Sequence, residues 1–84
     1  MKSYFVTFRS VTHAQRGEQA LTRTGYRCRL RRTPRWMEEQ GCGYALRLWT
    51  DRIDSAVALL TEKKIQLRRV YVQLEEGQME EVAL

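Results

Sequence analysis

The stretch YRCRLR, residues 26–31, alternates strictly between side chains of low polarity and arginine. Alternation with a period of two is typical of a β-strand that buries one face and exposes the other. The pattern therefore predicts a strand that packs Tyr26, Cys28 and Leu30 against a core and presents its arginines to solvent. Cys28 is accordingly interpreted as a small core residue.

Three further strands are predicted around this one. Residues 3–8 (SYFVTF) are rich in β-branched and aromatic side chains, which favour strands. Residues 44–49 (YALRLW) place Leu46 and Leu48 on the same side as Tyr44. Residues 66–74 close the pattern, with Val70, Val72 and Leu74 on one face.

Two helices separate these strands. Thr12 offers a hydroxyl to cap a first helix, in which Ala14, Gly17, Ala20 and Leu21 fall at helical spacing and which Gly25 ends. Asp51 is the expected N-cap of a second helix. The apolar stripe of that helix comprises Ile53, Ala56, Val57 and Leu60.

The resulting order, βαββαβ, predicts an α/β (α+β) fold of the ferredoxin-like kind, a two-layer sandwich. Right-handed crossovers then give an antiparallel sheet of order 4-1-3-2 with both helices on one face. We expect a single domain over residues 1–75. The acidic tail, residues 76–84, is expected to be frayed or at most a short helix.

Length and composition limit the function classes. A chain of 84 residues leaves little room for a deep enzyme cleft, and its two cysteines are too few for a secreted disulfide scaffold. Neither a signal peptide nor a membrane-spanning stretch is apparent. The expected location is cytoplasmic, with reduced thiols and no membrane partner.

The charge is unevenly distributed. Through residue 74, fifteen Lys and Arg oppose six carboxylates, which leaves +9, whereas the whole chain carries +5. The remaining four carboxylates lie in the tail. A basic body favours anionic partners such as nucleic acid, phosphates or an acidic protein surface.

The stretch QGCGYALR, residues 40–47, places Cys42 between two glycines. In the predicted topology, residues 9–13, 33–43 and 63–64 and the start of the fourth strand converge at one end of the sheet. If strand geometry extends back to Cys42, its sulfur faces the start of the first helix, whose dipole favours a thiolate. Gly41 and Gly43 would leave the sulfur accessible.

Two interpretations of Cys42 remain open, a working thiol and a small residue in a turn. His13 is either a base or hydrogen-bond donor to the sulfur or an ordinary exposed histidine. One Cys and one His fall short of a metal site, so we expect neither a metal nor another cofactor. No carboxylate completes a Cys-His-Asp set, so hydrolytic nucleophilic catalysis has little support.

The chain resembles the family of putative selenium/sulfur carrier-like proteins over most of residues 3–72. The resemblance rests on Tyr4-Phe5-Val6-Thr7-Phe8-Arg9-Ser10, Thr12-His13-Ala14, Leu21, Gly25, Thr33-Pro34-Arg35, Gly41-Cys42-Gly43 and Ala45-Leu46-Arg47. It implies that Cys42 holds sulfur or selenium, as a persulfide or selenide equivalent. It also implies partners, the donor and acceptor proteins of sulfur or selenium metabolism.

The same resemblance implies which residues surround the thiol. These matching positions are Arg9, Ser10, Thr12, His13, Pro34 and Arg35. Residues 36–40 (WMEEQ) depart from the small, serine-bearing segment usual in the family. Their carboxylates, on Glu38 and Glu39, would oppose a thiolate at Cys42.

Two other functions compete with the carrier. A nucleic-acid-binding module could use the sheet face away from the helices, which the pattern makes basic and aromatic. The expected residues of that face are Phe5, Arg27, Arg29, Arg31, Arg47, Trp49, Arg69 and Tyr71. The same face is also suited to a homodimer interface.

Overall fold

The computed structural model describes residues 1–33, 43–74 and 77–83. Its elements are β1 (Lys2–Phe8), α1 (Val11–Arg23), β2 (Arg27–Arg32), β3 (Tyr44–Thr50), α2 (Ile53–Glu62), β4 (Leu67–Gln73) and β5 (Met79–Glu81). The predicted βαββαβ order is confirmed, with a further strand after it.

The strands form one sheet of order β2-β3-β1-β4-β5, in which every neighbouring pair is antiparallel. The predicted order 4-1-3-2 and the ferredoxin-like α+β fold are therefore confirmed. Long strands occupy the centre, where β1 pairs with both β3 and β4.

The tail departs from expectation, because residues 79–81 form a strand rather than a frayed end or a helix. Gly77 has a φ of +78°, a left-handed conformation that lets the chain reverse. β5 then pairs with β4, and the Arg69 guanidinium lies 3.1 Å from the Glu81 carboxylate. The Arg69–Glu81 ion pair partly neutralises the negative charge of the tail. The division at residue 75 stays a prediction.

The core lies between the sheet and the helices. Tyr4, Val6 and Phe8 lie on one face of β1 and are buried in this core. Packed with them are Leu46 and Leu48 of β3, Val70 of β4, Ala14 and Leu21 of α1, and Ala56 and Leu60 of α2. Ile53 and Val57 are partly buried against this cluster, so the predicted stripe of α2 is confirmed.

The N-cap of α1 is Ser10, not Thr12. Ser10 has an extended backbone, and its Oγ accepts a hydrogen bond from the His13 backbone N–H at 3.2 Å. Thr12 lies within the first turn and is exposed. The helix begins earlier than expected because the Ser10 hydroxyl, rather than that of Thr12, accepts from the backbone of the first turn. Gly25, with a φ of +97°, follows the helix end as predicted.

The expected N-cap of α2 is also wrong. Arg52 occupies the cap position without a side-chain cap hydrogen bond, and its backbone N–H donates to the Thr50 hydroxyl at 3.0 Å. The Asp51 carboxylate instead accepts from the Lys2 backbone N–H at 3.3 Å. Pairing of Lys2 with Thr50 across the sheet brings this competing donor to Asp51.

Candidate functional site

Several chain segments meet at one end of the sheet, as the topology predicted. The backbone N–H of Thr33, just after β2, donates to the carbonyl of Gly43, just before β3, at 2.9 Å. The Gln66 backbone N–H, just before β4, donates to Nδ1 of His13 at 3.2 Å. The start of α1 is thereby joined to the start of β4, and the end of β2 to the start of β3.

Gly43 is the described residue next to the predicted thiol. Its φ is +82°, a left-handed backbone conformation that residues other than glycine adopt only with strain. The β1–β3 pairing ends at Thr7 and Ala45, so Gly43 and Arg9 each lie two residues beyond the last pair. The backbone to which Cys42 is bonded is thus at the sheet end where β1 leads into α1.

Four predicted site residues lie outside the described residues. They are Pro34, Arg35, Gly41 and Cys42, and the same holds for the two loop carboxylates, Glu38 and Glu39. Their assignment to the site stays a prediction.

The remaining predicted residues differ in what they contact. Ser10 uses its oxygen to cap α1, and Thr12 is exposed on the first turn. His13 is half-buried, and its Nδ1 is an acceptor. A neutral imidazole that accepts at Nδ1 carries its proton on Nε2, so His13 has a hydrogen-bond donor rather than a base to offer.

Arg9 is exposed and lines a surface groove of about 770 Å³. The groove runs along the α2–β4 connection, and its other lining residues are Val57, Thr61, Lys64, Ile65, Gln66, Leu67, Arg68 and Arg69. This lining holds four cationic side chains, of which Arg69 is paired with Glu81. Its cations favour anionic groups at the sheet end that holds Gly43.

Arg32 and Tyr44 lie near Gly43 but were not among the predicted site residues. The Arg32 guanidinium lies 6.0 Å from the centroid of the Tyr44 ring, and the two residues are paired across β2 and β3. Tyr44 remains partly exposed, at 36%. The strict alternation ended at Arg31, but the strand continues one residue further because Tyr44 extends the ladder. The sequence pattern contained no sign that β2 extends to Arg32, so it did not place Arg32 opposite Tyr44.

Cys28 is a half-buried free thiol that packs against the core, as predicted. Its Sγ lies 3.5 Å from the Thr22 hydroxyl and 3.7 Å from the Glu18 carbonyl oxygen. Burial raises the pKa of the Cys28 thiol, the Thr22 hydrogen bond partly opposes this, and the Glu18 charge adds to the rise. Cys28 is therefore a poor nucleophile at neutral pH.

The open sheet face, the side of the sheet away from the helices, is less aromatic than expected. Phe5 and Tyr71 are only 8% and 9% exposed. The Arg47 guanidinium lies over the Phe5 ring, and Met79 of the unexpected β5 packs against the same cluster. Trp49 remains partly exposed on this face.

No helix among the described residues is long and apolar enough to cross a membrane, and no group of three or more potential metal ligands occurs there. No curated protein and no solved structure matches the chain. A family model described as "Putative Se/S carrier protein-like" matches residues 3–72, most of the 84 residues. The chain therefore belongs to this Se/S carrier protein-like family.

Proposed function

We propose that this protein carries sulfur or selenium on Cys42 between a donor and an acceptor protein. Family membership supports the carrier role. The observation that carries the assignment to Cys42 is the position of Gly43, the residue bonded to it. Gly43 lies at the sheet end where β1 leads into α1, and Arg9, which follows β1 there, lines the cationic groove.

The chemistry is thiol exchange. The Cys42 thiolate attacks the outer sulfur of a donor persulfide, R–S–SH, so that one S–S bond forms on Cys42 and the donor's S–S bond breaks. The donor leaves as the thiolate R–S⁻, the proton stays on the outer sulfur, and no net oxidation occurs. An acceptor thiolate takes the outer sulfur by the same step. The selenium version exchanges a selenium atom in place of the outer sulfur.

The described surroundings suit this step. The groove cations, Arg9 and Lys64 among them, support the proposal, because positive charge near a cysteine favours the thiolate over the thiol. His13 has a donor at Nε2 for the departing or arriving anion. An exposed exchange site needs no deep pocket, which agrees with the small size of the domain.

Mass spectrometry after incubation with glutathione persulfide tests the proposal. We expect wild-type protein and the Cys28→Ser variant to gain one sulfur atom each, and the Cys42→Ser variant to gain none. Transfer of that sulfur to a second thiol protein should follow. Loading on Cys28 in preference to Cys42, or none on Cys42 while a control persulfide carrier is loaded, would contradict the proposal.

A further inference from the structure

The half of the open sheet face formed by β2 and β3 is dominated by arginine. The pairing register places Arg27 opposite Trp49, Arg29 opposite Arg47 and Arg31 opposite Ala45. The three β2 arginines are exposed and stand on alternate residues, about 6.7 Å apart. They form a basic strip along the edge of the sheet.

Arg29 and Arg47 are like charges on directly paired positions of neighbouring strands. Directly opposite like charges destabilise a sheet, unless a counter-charge lies between them. Within residues 1–33, 43–74 and 77–83, ion pairs join Arg69 to Glu81 and the N-terminus to Asp51, and neither includes an arginine of β2 or β3. The described protein thus supplies no carboxylate to this arginine pair.

Trp49 holds two of these guanidinium groups in place. Arg27 lies 5.0 Å and Arg47 lies 5.1 Å from the centroid of the indole ring. Arg47 also donates to the Ser3 hydroxyl at 3.2 Å and to the Gln73 side-chain oxygen at 3.0 Å. Because these contacts already restrict the side chains, binding an anion costs less conformational entropy.

We propose that this arginine strip, defined as Arg27, Arg29, Arg31, Arg47 and Trp49, binds single-stranded RNA. Phosphates would supply a counter-charge that no described residue gives the Arg29–Arg47 pair. Unpaired bases stack on aromatic rings or on guanidinium planes, and the Arg27–Trp49–Arg47 cluster contains both kinds of group. The proposal does not depend on Cys42 and goes beyond sulfur transfer.

Charge and shape favour RNA over two other occupants. A second copy of this chain would bring the same arginines to the interface, and its Glu81 is already paired with Arg69. An acidic peptide would neutralise the strip but would make no use of the planar Arg–Trp cluster. Both alternatives become outcomes of the test.

Fluorescence anisotropy with a labelled oligouridylate of about 12 nucleotides tests the proposal. We expect the logarithm of the association constant to fall with the logarithm of salt concentration with a slope of about −2 to −3, for roughly four phosphates contacted. Arg29→Gln should weaken binding about fivefold or more, and Trp49→Leu should do the same by loss of stacking. Arg16→Gln, an equal charge change on exposed α1, should weaken it less than about twofold.

Four results would overturn the proposal. Equal losses in the Arg29→Gln and Arg16→Gln variants would mean diffuse charge attraction. Equal affinity for a duplex of the same length would exclude base stacking. Competition by polyglutamate as effective as competition by unlabelled oligouridylate would indicate an acidic protein partner. A dimer in light scattering that oligouridylate does not dissociate would assign the face to a second copy. Arg29 is exposed, so its variant is expected to fold if Trp49→Leu does not.

Discussion

The Nδ1 atom of His13 accepts a hydrogen bond from the backbone N–H of Gln66 at 3.2 Å, across 53 residues of sequence. The contact joins the first turn of α1 to the segment that leads into β4. The His13 backbone N–H meanwhile donates to the Ser10 cap. One residue thus holds two of the elements that meet at the Gly43 end of the sheet.

The His13→Ala variant should lose the link between α1 and β4. We expect the free energy of unfolding to fall by about 1 kcal/mol, since one partly exposed hydrogen bond is removed. Hydrogen exchange at the Gln66 amide should accelerate. Gln15→Ala, at an exposed position of the same helix, is the control and should change neither. An unchanged Gln66 exchange rate in His13→Ala would show that the hydrogen bond contributes nothing.

The two thiols should differ in their reaction with iodoacetamide as pH rises. Burial and Glu18 raise the pKa of Cys28, so its alkylation should be slow at neutral pH and should accelerate only above the ordinary range of a thiol. Cys42, if it is the carrier thiol, should react at lower pH. Peptide mass spectrometry after timed quenching separates the two rates.

Glu18→Gln provides an internal check on Cys28. Removing this negative charge should lower the pKa of Cys28 and shift its alkylation profile to lower pH. The Glu18 carboxylate also accepts from the Leu30 backbone N–H at 2.8 Å, a role that the glutamine oxygen preserves. A Cys28 profile that stays in place would contradict the assigned effect of Glu18.

Gly43→Ala tests the backbone beside Cys42. A φ of +82° costs a residue with a side chain about 1–2 kcal/mol. We therefore expect lower stability in urea unfolding and a changed rate of sulfur loading on Cys42. Gly25→Ala, at a φ of +97° but at the other end of α1, is the matched control. It should lower stability without changing the loading rate of the folded protein.

Gly17→Ala tests the packing of α1 on the sheet. A Cβ at this position would lie 3.1 Å from the Phe8 ring and 3.3 Å from a Leu46 methyl group. Both side chains are fully buried and have little room to move. The overpacking cost of about 1–3 kcal/mol should exceed the gain in helix propensity of roughly 0.5–1 kcal/mol. Calorimetry should show a lower Tm. A higher Tm would mean that Phe8 and Leu46 move to accommodate the added methyl group.

The sequence by itself determined the four long strands, the two helices and their order. Alternation in residues 26–31 and the helical spacing of the α2 stripe report which face of each element is buried, and burial is a local property of the pattern. Together with the rule that crossovers are right-handed, that order also predicted how the four long strands are arranged in the sheet. It further predicted that Gly43, α1 and β4 meet at one end.

Only the tertiary structure decided which hydrogen-bond and ion-pair partners the polar side chains have. Asp51 bonds the Lys2 backbone rather than α2, and β5 adds to the sheet through a turn at Gly77 and the Arg69–Glu81 pair. The register between strands also decides that Arg47 covers Phe5 and that Arg29 is paired with Arg47. A sequence pattern reports which side of its own element a residue occupies. Only packing of distant elements determines which donor, acceptor or charge it meets there.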